Sequence, residues 1–366
     1  MVPYIISQTE ISVPMNNAEG NPPSNQLGTG LNEQQVKDAV EASGYPLQLW
    51  VGDIFRTHAP IEGEKFQVQD EWSFVDRDTN ELRNIDLRCD LRLHKWDTQP
   101  RVRPQLSLLV ECKQSDLPYI FFQSSNKPWL SRFPQISGLH ADKVIVTSDD
   151  DPSSWTYSIT HCLDLDRDSF LQFPPYCNTF SKCVRKGPKL ELSGTDAYSS
   201  LVLPLVKALE HFAIAESPPE TAWYFDCHAT LGVGVIDAPM IGVTVDSAGA
   251  HLTALPWIRL MRHEYHGTAE RFERERFCVL DIVHKDYLSS YLDDRLIPFA
   301  QRFSERVLRH PTELATGQAF VSGMGEHGFA EVESRMRPRS VPSRISRVRA
   351  VGRNMIRRAG GKKKRT

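Results

Sequence analysis

The sequence lacks several features that would assign it to common classes of protein. It has no run of 18 apolar residues, so no transmembrane helix is expected. Its first residues, MVPYIISQTEISVP, contain neither a cationic stretch nor a continuous apolar stretch, so a secretory signal is not expected. The seven cysteines form no CxxC pair that would indicate a structural zinc site. Together these absences predict reduced thiols and a cytoplasmic location.

Acidic residues are absent from the last 32 residues, and this absence reveals a strong charge asymmetry. The chain of 366 residues has 43 Lys and Arg against 46 Asp and Glu, a net charge of −3. Residues 335–366 hold 13 of the basic residues, so the other 334 residues carry 30 basic and 46 acidic groups. An acidic body with a basic tail indicates a polyanionic partner for the tail.

The composition is that of a globular protein, with 40% hydrophobic and 24% charged residues. A chain of this length and composition can bury a sizeable core, which excludes a fibrous or wholly disordered protein. The predicted organisation is a flexible leader (1–30), a domain with a clear core (31–125) and an elaboration (126–310), a glycine-rich linker (311–334) and a basic tail (335–366).

The first structured segment is predicted to be a short amphipathic helix. Asn32 and Gln35 have the spacing of a capping box, and Gly44 suits the C-terminal end of the helix. The apolar stripe of this helix consists of Val36, Ala39 and Val40.

The next segment is predicted to be an antiparallel hairpin followed by a buried strand. Two extended runs flank residues 76–80, whose Asp and Asn favour a turn. The second arm alternates with a period of two between charged and apolar residues; the apolar ones are Ile85, Leu87, Cys89, Leu91 and Leu93. The following run, QLSLLVECKQ, is nearly all apolar, as expected for a strand covered on both faces.

Later segments give elements but no comparable motif. The run ATLGVGVIDAPMIGVTVD predicts paired strands broken by Gly and Pro, and RFCVLDIVH predicts a strand that contains Asp281. Asp281 could support a functional site, and an internal hydrogen-bonded partner would explain it equally well. The sequence leaves both interpretations open.

The chemistry is predicted to lie where the hairpin meets the buried strand. Glu111 and Lys113 share one face of their strand, about 7 Å apart along the backbone, and Asp86 can join them if the strands are in register. Two carboxylates that meet inside a sheet repel each other and are costly to bury unless a cation lies between them. Oxygen ligands of this kind suit Mg²⁺, and a lysine beside it can orient water or stabilise charge on phosphorus. The arrangement therefore suits phosphodiester hydrolysis.

The order of helix, hairpin, aspartate and apolar strand ending in ECK resembles the core of the PD-(D/E)xK nucleases, the restriction-endonuclease-like superfamily. The resemblance implies an α/β fold with a restriction-endonuclease-like core, a mixed central β-sheet flanked by helices, here with a C-terminal elaboration and the basic tail. It also implies that Asp86 and Glu111 bind Mg²⁺, which Mn²⁺ can replace. The carbonyl of Cys112 would add a ligand, and Lys113 would assist the attacking water.

The resemblance covers residues 31–125 and departs from the family pattern before the aspartate. Ile85 stands where the motif has proline. Many members carry a glutamate on the first core helix. Glu33 is the preferred match because it lies beside the apolar stripe, whereas Glu41 lies on the far side of the helix.

A simpler interpretation of the same residues is a solvated, charged sheet face. An exposed Glu-x-Lys pair contributes only about 0.2–1 kcal/mol, and an aspartate between arginines is common on such faces. The apolar run before Glu111 argues against this interpretation, because QLSLLV is unsuited to an exposed strand. The superfamily also includes members that keep the fold without activity.

The basic tail predicts a helix with cations around an apolar stripe. The residues expected to contact nucleic acid are Arg344, Arg347, Arg353, Arg357, Arg358, Lys362, Lys363 and Lys364. Such a helix could instead lie on an acidic membrane surface, or it could be a soluble arm that compensates the acidic body.

The leading hypothesis is a Mg²⁺-dependent nuclease that acts on DNA, with the tail adding non-specific affinity. Cleavage of both strands of a duplex would favour two active sites, and hence a homodimer. The alternative is a catalytically inactive nuclease-fold module that binds nucleic acid or a protein partner.

Overall fold

The computed structural model describes residues 27–61, 63–95, 97–124, 133–265 and 275–339. The chain forms two compact units, Met1–Pro46 and Leu47–Thr366. The predicted leader is therefore described only from residue 27, and the tail only as far as residue 339.

The first unit contains the predicted amphipathic helix, α1 (Glu33–Glu41). The capping box is confirmed: Asn32 Oδ1 accepts a hydrogen bond from the backbone N–H of Gln35, while the Gln35 side chain accepts one from the backbone N–H of Asn32. Gly44 has a φ of +78°, which suits a glycine after the end of a helix. No residue of α1 is buried.

The other helices and helical turns have the following bounds: α2 (Tyr45–Thr57), α3 (Ile159–Cys162), α4 (Ser169–Gln172), α5 (Gly194–Ala197), α6 (Leu203–Ala215), α7 (Leu288–Tyr291), α8 (Ile297–Arg309), α9 (Pro311–Thr316), α10 (Met324–His327), α11 (Val332–Arg335), 3₁₀ turns at Leu165–Arg167 and Lys285–Tyr287, and π-helical turns at Tyr198–Val202 and Leu292–Leu296. None of the helices in the described ranges is both long and apolar enough to cross a membrane.

The strands have the following bounds: β1 (Gln67–Val75), β2 (Leu82–Arg92), β3 (Val102–Gln114), β4 (Tyr119–Gln123), β5 (Gln135–Ser137), β6 (Lys143–Thr147), β7 (Ser154–Ser158), β8 (Tyr176–Lys186), β9 (Lys189–Ser193), β10 (Phe225–Asp237), β11 (Met240–Asp246), β12 (Gly249–Ala254), β13 (Trp257–Tyr265), β14 (Glu275–His284), β15 (Gln318–Val321) and β16 (Met336–Pro338). The predicted hairpin is confirmed as β1 and β2, and the predicted buried strand as β3.

A large mixed sheet forms the centre of the second unit, with the order β1-β2-β3-β10-β14-β13-β8-β4-β11-β12. The first three strands are antiparallel, whereas β10 runs parallel to both β3 and β14. A smaller sheet has the order β16-β15-β6-β7. The prediction of an α/β fold with a mixed central sheet flanked by helices is confirmed at this level.

Helices cover both faces of the strands that carry the predicted site. Val51 and Phe55 of α2 and Phe303 of α8 belong to the apolar cluster on one face. Leu205 and Phe212 of α6 belong to the cluster on the other face. Because β3 and β10 lie between these layers, their apolar runs are buried on both sides, as expected for parallel strands.

The later strands differ from the prediction of one paired unit. β10 pairs with β3 and β14, whereas β11 pairs with β4 and β12. Pro118 lies between β3 and β4, and Pro239 lies between β10 and β11; β4 and β11 again run side by side. Neither proline has a backbone N–H to donate to a strand ladder.

Residues 311–334, for which the sequence predicts a glycine-rich linker, are folded into the second unit. They include β15, which runs parallel to β6. Ala319, Val321 and Val332 are fully buried. The glycines mark tight turns between short elements: Gly317 and Gly323 adopt positive φ angles at the end of α9 and the start of α10.

Candidate active site

The carboxylate of Asp86 forms a hydrogen bond to β3 at the point where β2 and β3 stop pairing. The ladder between these strands ends at Leu87 and Val110. One residue beyond that pair, Asp86 Oδ2 accepts a hydrogen bond of 2.6 Å from the backbone N–H of Cys112. The side chain of Asp86 thus replaces a backbone acceptor and is fixed directly beside the Glu-Cys-Lys segment of β3.

Glu111 and Lys113 lie together on β3, as their spacing predicts. The Lys113 ammonium donates to Glu111 Oε1 at 2.6 Å. Glu111 is only 6% exposed, and its other oxygen, Oε2, is buried without a hydrogen bond of normal geometry to any described residue. A buried carboxylate oxygen without a partner is costly, so this atom has an unmet requirement for a cation or a donor.

The electrostatics of the site follow from burial and from the proximity of the two carboxylates. Burial raises the pKa of Glu111 to about 7, and the negative charge of Asp86 acts in the same direction, while Lys113 and the backbone N–H of Asp86 oppose both. Burial also raises the pKa of Asp86, although the hydrogen bond from Cys112 lowers it. Burial alone would lower the pKa of Lys113, but Glu111 and Asp86 raise it further, so this lysine stays protonated.

Two polar residues that the sequence interpretation missed lie beside Asp86. Gln48, on α2, donates through Nε2 to the backbone carbonyl of Asp86 at 3.1 Å and to Glu71 Oε1 at 2.9 Å. Glu71 lies on β1 between Asp70, which pairs with Leu87, and Trp72, which pairs with Ile85, and its negative charge raises the pKa of Asp86. Asn84 donates to the second oxygen of Glu71 at 2.6 Å.

Glu71 also has an unusual backbone conformation. Its φ is +50°, which few residues other than glycine adopt, and it interrupts an otherwise regular strand.

The sequence contains signals for both of the missed residues, Gln48 and Glu71. Leu47, Val51 and Phe55 recur every four residues and predict the buried face of α2, on which Gln48 lies. The hairpin register, which pairs Asp70 with Leu87 and Trp72 with Ile85, brings Glu71 to the level of Asp86.

Tyr119, at the start of β4, completes the described surroundings of Lys113. It is 1% exposed, and its proximity raises the pKa of Lys113. Burial raises the pKa of Tyr119 itself, while Lys113 and a hydrogen bond with Ser200 act in the opposite direction. Tyr119 therefore lies near the lysine, at the start of the strand that follows β3.

The roles of the remaining predicted site residues stay predictions. Glu33 belongs to the first unit, where its carboxylate lies 3.1 Å from Lys37, and its catalytic role stays a prediction. The backbone carbonyl of Cys112 as a metal ligand also stays a prediction. The eight tail residues predicted to contact nucleic acid, from Arg344 to Lys364, all lie outside the described residues.

The donor set fits a hard divalent cation. Asp86 and Glu111 supply carboxylate oxygens, and the unpartnered Glu111 Oε2 supplies a buried ligand atom whose negative charge Lys113 compensates only in part. Within the described ranges, no group of three His, Cys, Asp or Glu side chains has metal-binding geometry. Two carboxylates are nevertheless the usual protein contribution to Mg²⁺, whose shell is completed by water and by substrate oxygens.

Asp281, for which the sequence leaves two interpretations open, has an internal partner. Both of its oxygens accept hydrogen bonds from the Arg259 guanidinium, at 2.7 and 2.8 Å, and one also accepts from the Tyr291 hydroxyl at 2.7 Å. All three side chains are fully buried.

The seven cysteines are all free, and burial raises the pKa of several of them, including Cys112 and Cys227.

Comparison with known proteins gives no relative from which a function could be transferred. No protein-family model, no curated protein and no solved structure matches this chain. The functional assignment therefore depends on the geometry of Asp86, Glu111 and Lys113.

Proposed function

We propose that this protein is a Mg²⁺-dependent nuclease of the PD-(D/E)xK type that hydrolyses phosphodiester bonds in DNA. The observation that carries the proposal is the buried Glu111 carboxylate. One of its oxygens accepts a hydrogen bond from Lys113, and the other, beside a second carboxylate, Asp86, accepts none of normal geometry from any described residue. A site that is purely structural would be expected to satisfy both oxygens.

The order of elements around the site also supports the proposal. The chain runs from a core helix, α2, through the meander β1-β2-β3 and, after the inserted strands β4 to β9, to the helix α6 and then to β10, which pairs with β3 in parallel. This order is similar to that of the PD-(D/E)xK core. α2 takes the place of the first core helix, so Gln48, rather than Glu33, is the polar residue that this helix brings to Asp86.

Each side chain of the site has a role in this proposal. Asp86 and Glu111 would hold the Mg²⁺. The bound ion would polarise the phosphate and lower the pKa of a coordinated water. Lys113, which stays protonated, would donate to the attacking water or to the phosphate oxygens rather than accept a proton. The hydrogen bonds from Cys112 and Gln48 would fix Asp86 in position.

The test is cleavage of nucleic acid by the purified full-length chain. Plasmid, linear duplex, single-stranded DNA and RNA would be incubated with Mg²⁺, with Mn²⁺ or with EDTA. We expect metal-dependent cleavage that Lys113→Ala reduces by about 10²- to 10⁴-fold, because the variant removes the positioned cation. Lys95→Ala is the matched control, since Lys95 is exposed and follows the opposite end of β2 from Asp86.

Two outcomes would contradict the proposal. Cleavage by Lys113→Ala at the rate of the unaltered chain would remove Lys113 from the mechanism. If the unaltered chain cleaves none of these substrates with either metal, the alternative of an inactive nuclease-fold module would be favoured. Circular dichroism of both variants would establish that the fold is retained.

A further inference from the structure

A group of lysines and one arginine lies on the hairpin formed by β8 and β9, outside the site described above. We call residues 182–193 the basic hairpin. Its cations are Lys182, Arg185, Lys186 and Lys189, and its single acidic residue is Glu191. Gly187, with a φ of +63°, and Pro188 form the two-residue connection at its tip.

The register places three of these lysines on one face of the hairpin. Lys186 lies directly opposite Lys189, and Lys182 lies opposite Ser193. Residues directly opposite each other share a face, as do residues two apart along a strand, so these lysines point to the same side. Like charges directly opposite each other destabilise a hairpin. The pair at the tip therefore has an unfavourable contact that an anion would relieve.

Little negative charge compensates these lysines. Glu191 lies 3.4 Å from Lys186, but both side chains are exposed, by 49% and 76%, so their attraction is screened by water. Lys182 and Lys189 make no ion pair with any residue in the described part of the chain. The face therefore carries a net positive charge on a protein body that is acidic overall.

Tyr119 links one end of this face to the candidate active site. Lys182 is the register partner of Tyr119, and its ammonium lies 5.7 Å from the centre of the Tyr119 ring. Tyr119 is in turn close enough to Lys113 to raise its pKa. The buried Tyr119 is thus a neighbour of both Lys113 and Lys182, and Lys186 and Lys189 follow Lys182 along the same face of the hairpin.

We propose that the lysine face of the basic hairpin binds the sugar-phosphate backbone of the nucleic acid that enters the active site. This inference rests on the proposed function and adds a substrate-binding surface within the folded unit. The arrangement fits phosphates better than a lipid surface. The exposed Leu190 and Leu192 lie on the opposite face from Lys186 and Lys189, so a membrane that contacted the leucines would leave these lysines pointing away from its headgroups.

The test is equilibrium binding of fluorescently labelled DNA to the full-length chain in EDTA, where metal-dependent cleavage does not occur. The double variant Lys186→Gln/Lys189→Gln removes two charges and keeps side chains of similar length. We expect it to weaken binding about tenfold near 0.1 M salt and to reduce the slope of log Kd against log salt by about 2. The control Lys65→Gln/Lys95→Gln removes two exposed lysines that flank the far ends of β1 and β2.

The results separate this inference from its alternatives. Equal binding by the two double variants would overturn it, as would a loss of binding to anionic phosphatidylserine vesicles without a loss of binding to DNA. A chain that binds no DNA would also overturn it. The cleavage assay reports separately on the proposed function. Hairpin-dependent binding without cleavage would support this surface and reject the nuclease. Cleavage together with hairpin-independent binding would support the nuclease and reject this surface.

Discussion

Two buried carboxylates lie on either side of β10, and they differ in how completely they are satisfied. Glu111 on β3 is the register partner of Gly234, and Asp281 on β14 is the register partner of the preceding residue, Val233. Both acids are therefore at nearly the same level of the central sheet. One oxygen of Glu111 accepts no hydrogen bond of normal geometry from the part of the chain that the structure describes, whereas both oxygens of Asp281 are bound.

The surroundings of Asp281 compensate its charge within the protein. Arg259 forms a bidentate pair with it, and the guanidinium also donates to the backbone carbonyl of Phe170 at 2.7 Å. The rings of Phe133 and Phe170 lie 4.5 and 4.4 Å from the guanidinium carbon. This comparison teaches that burial alone does not mark a functional acid, because a saturated carboxylate has no free ligand atom to offer.

The largest expected effect is the loss of the partner of Asp281. Arg259→Met should lower the free energy of unfolding by about 3–5 kcal/mol, because it leaves a fully buried aspartate without its counter-charge. Arg103→Met is the matched control, since the pair of Arg103 and Asp226 is over one-third exposed and should contribute less than about 1 kcal/mol. Urea denaturation of both variants measures the difference.

A small effect of Arg259→Met would erase the contrast between the two acids. If both arginine variants were equally stable, Asp281 would not depend on its buried partner, and it would become a second candidate for the active site.

The next largest effect concerns Glu111. Its replacement is expected to raise the free energy of unfolding, whereas the replacement of Arg259 lowers it. The unfolded chain ionises this glutamate near its ordinary pKa of 4.5, whereas the folded chain keeps the proton up to about pH 7. Between these values the folded state binds more protons, so stability from this group is present at low pH and is lost as the pH rises. In EDTA, the free energy of unfolding of Glu111→Gln should therefore increase by about 2 kcal/mol relative to that of the unaltered chain when the pH is raised from 5 to 8.

The measurement is urea denaturation of both proteins at the two pH values, with metal removed. Glu81→Gln is the control, because Glu81 is 70% exposed and its replacement should change stability by less than about 0.5 kcal/mol at either pH. A constant difference between Glu111→Gln and the unaltered chain would mean that Glu111 has no unusual proton affinity. The contrast with Asp281 would then lose its electrostatic basis.

The parts of the site that the sequence predicts are those set by local patterns. The Asp- and Asn-rich turn and the alternation of apolar residues fix the hairpin β1-β2, and the apolar run that ends at Glu111 fixes β3. Because these strands are consecutive and adjacent, Asp86, Glu111 and Lys113 meet without a long-range contact. The prediction of this group from sequence therefore needs only strand pairing between neighbours in the chain.

The parts that the sequence does not predict depend on contacts between distant segments. Lys182 reaches Tyr119 only because β8 pairs with β4, across more than 60 residues of chain. Arg259 reaches Asp281 because β13 and β14 pair in one particular register. Folding of residues 311–334 likewise depends on β15 joining β6, which no local pattern in a glycine-rich segment indicates.

The smallest expected effect concerns Glu71, the third acid near the site. Replacing it with glutamine keeps an acceptor oxygen for Gln48, requires Asn84 to turn its amide so that it accepts from the new NH2 group, and removes a charge that opposes the ionisation of Asp86. Because Glu71 is exposed, the gain in stability at pH 8 in EDTA should be only about 0.5 kcal/mol at low ionic strength and should fall as salt is added.

Urea denaturation at two salt concentrations would measure this effect, with Glu81→Gln again as the control. A salt-sensitive gain would place Glu71 with Glu111, among acids whose charges the metal-free protein leaves uncompensated. A loss of stability would instead place Glu71 with Asp281, because its hydrogen bonds to Gln48 and Asn84 would then outweigh its repulsion of Asp86. The sign of this small change therefore decides whether the uncompensated region of the sheet contains two acids or three.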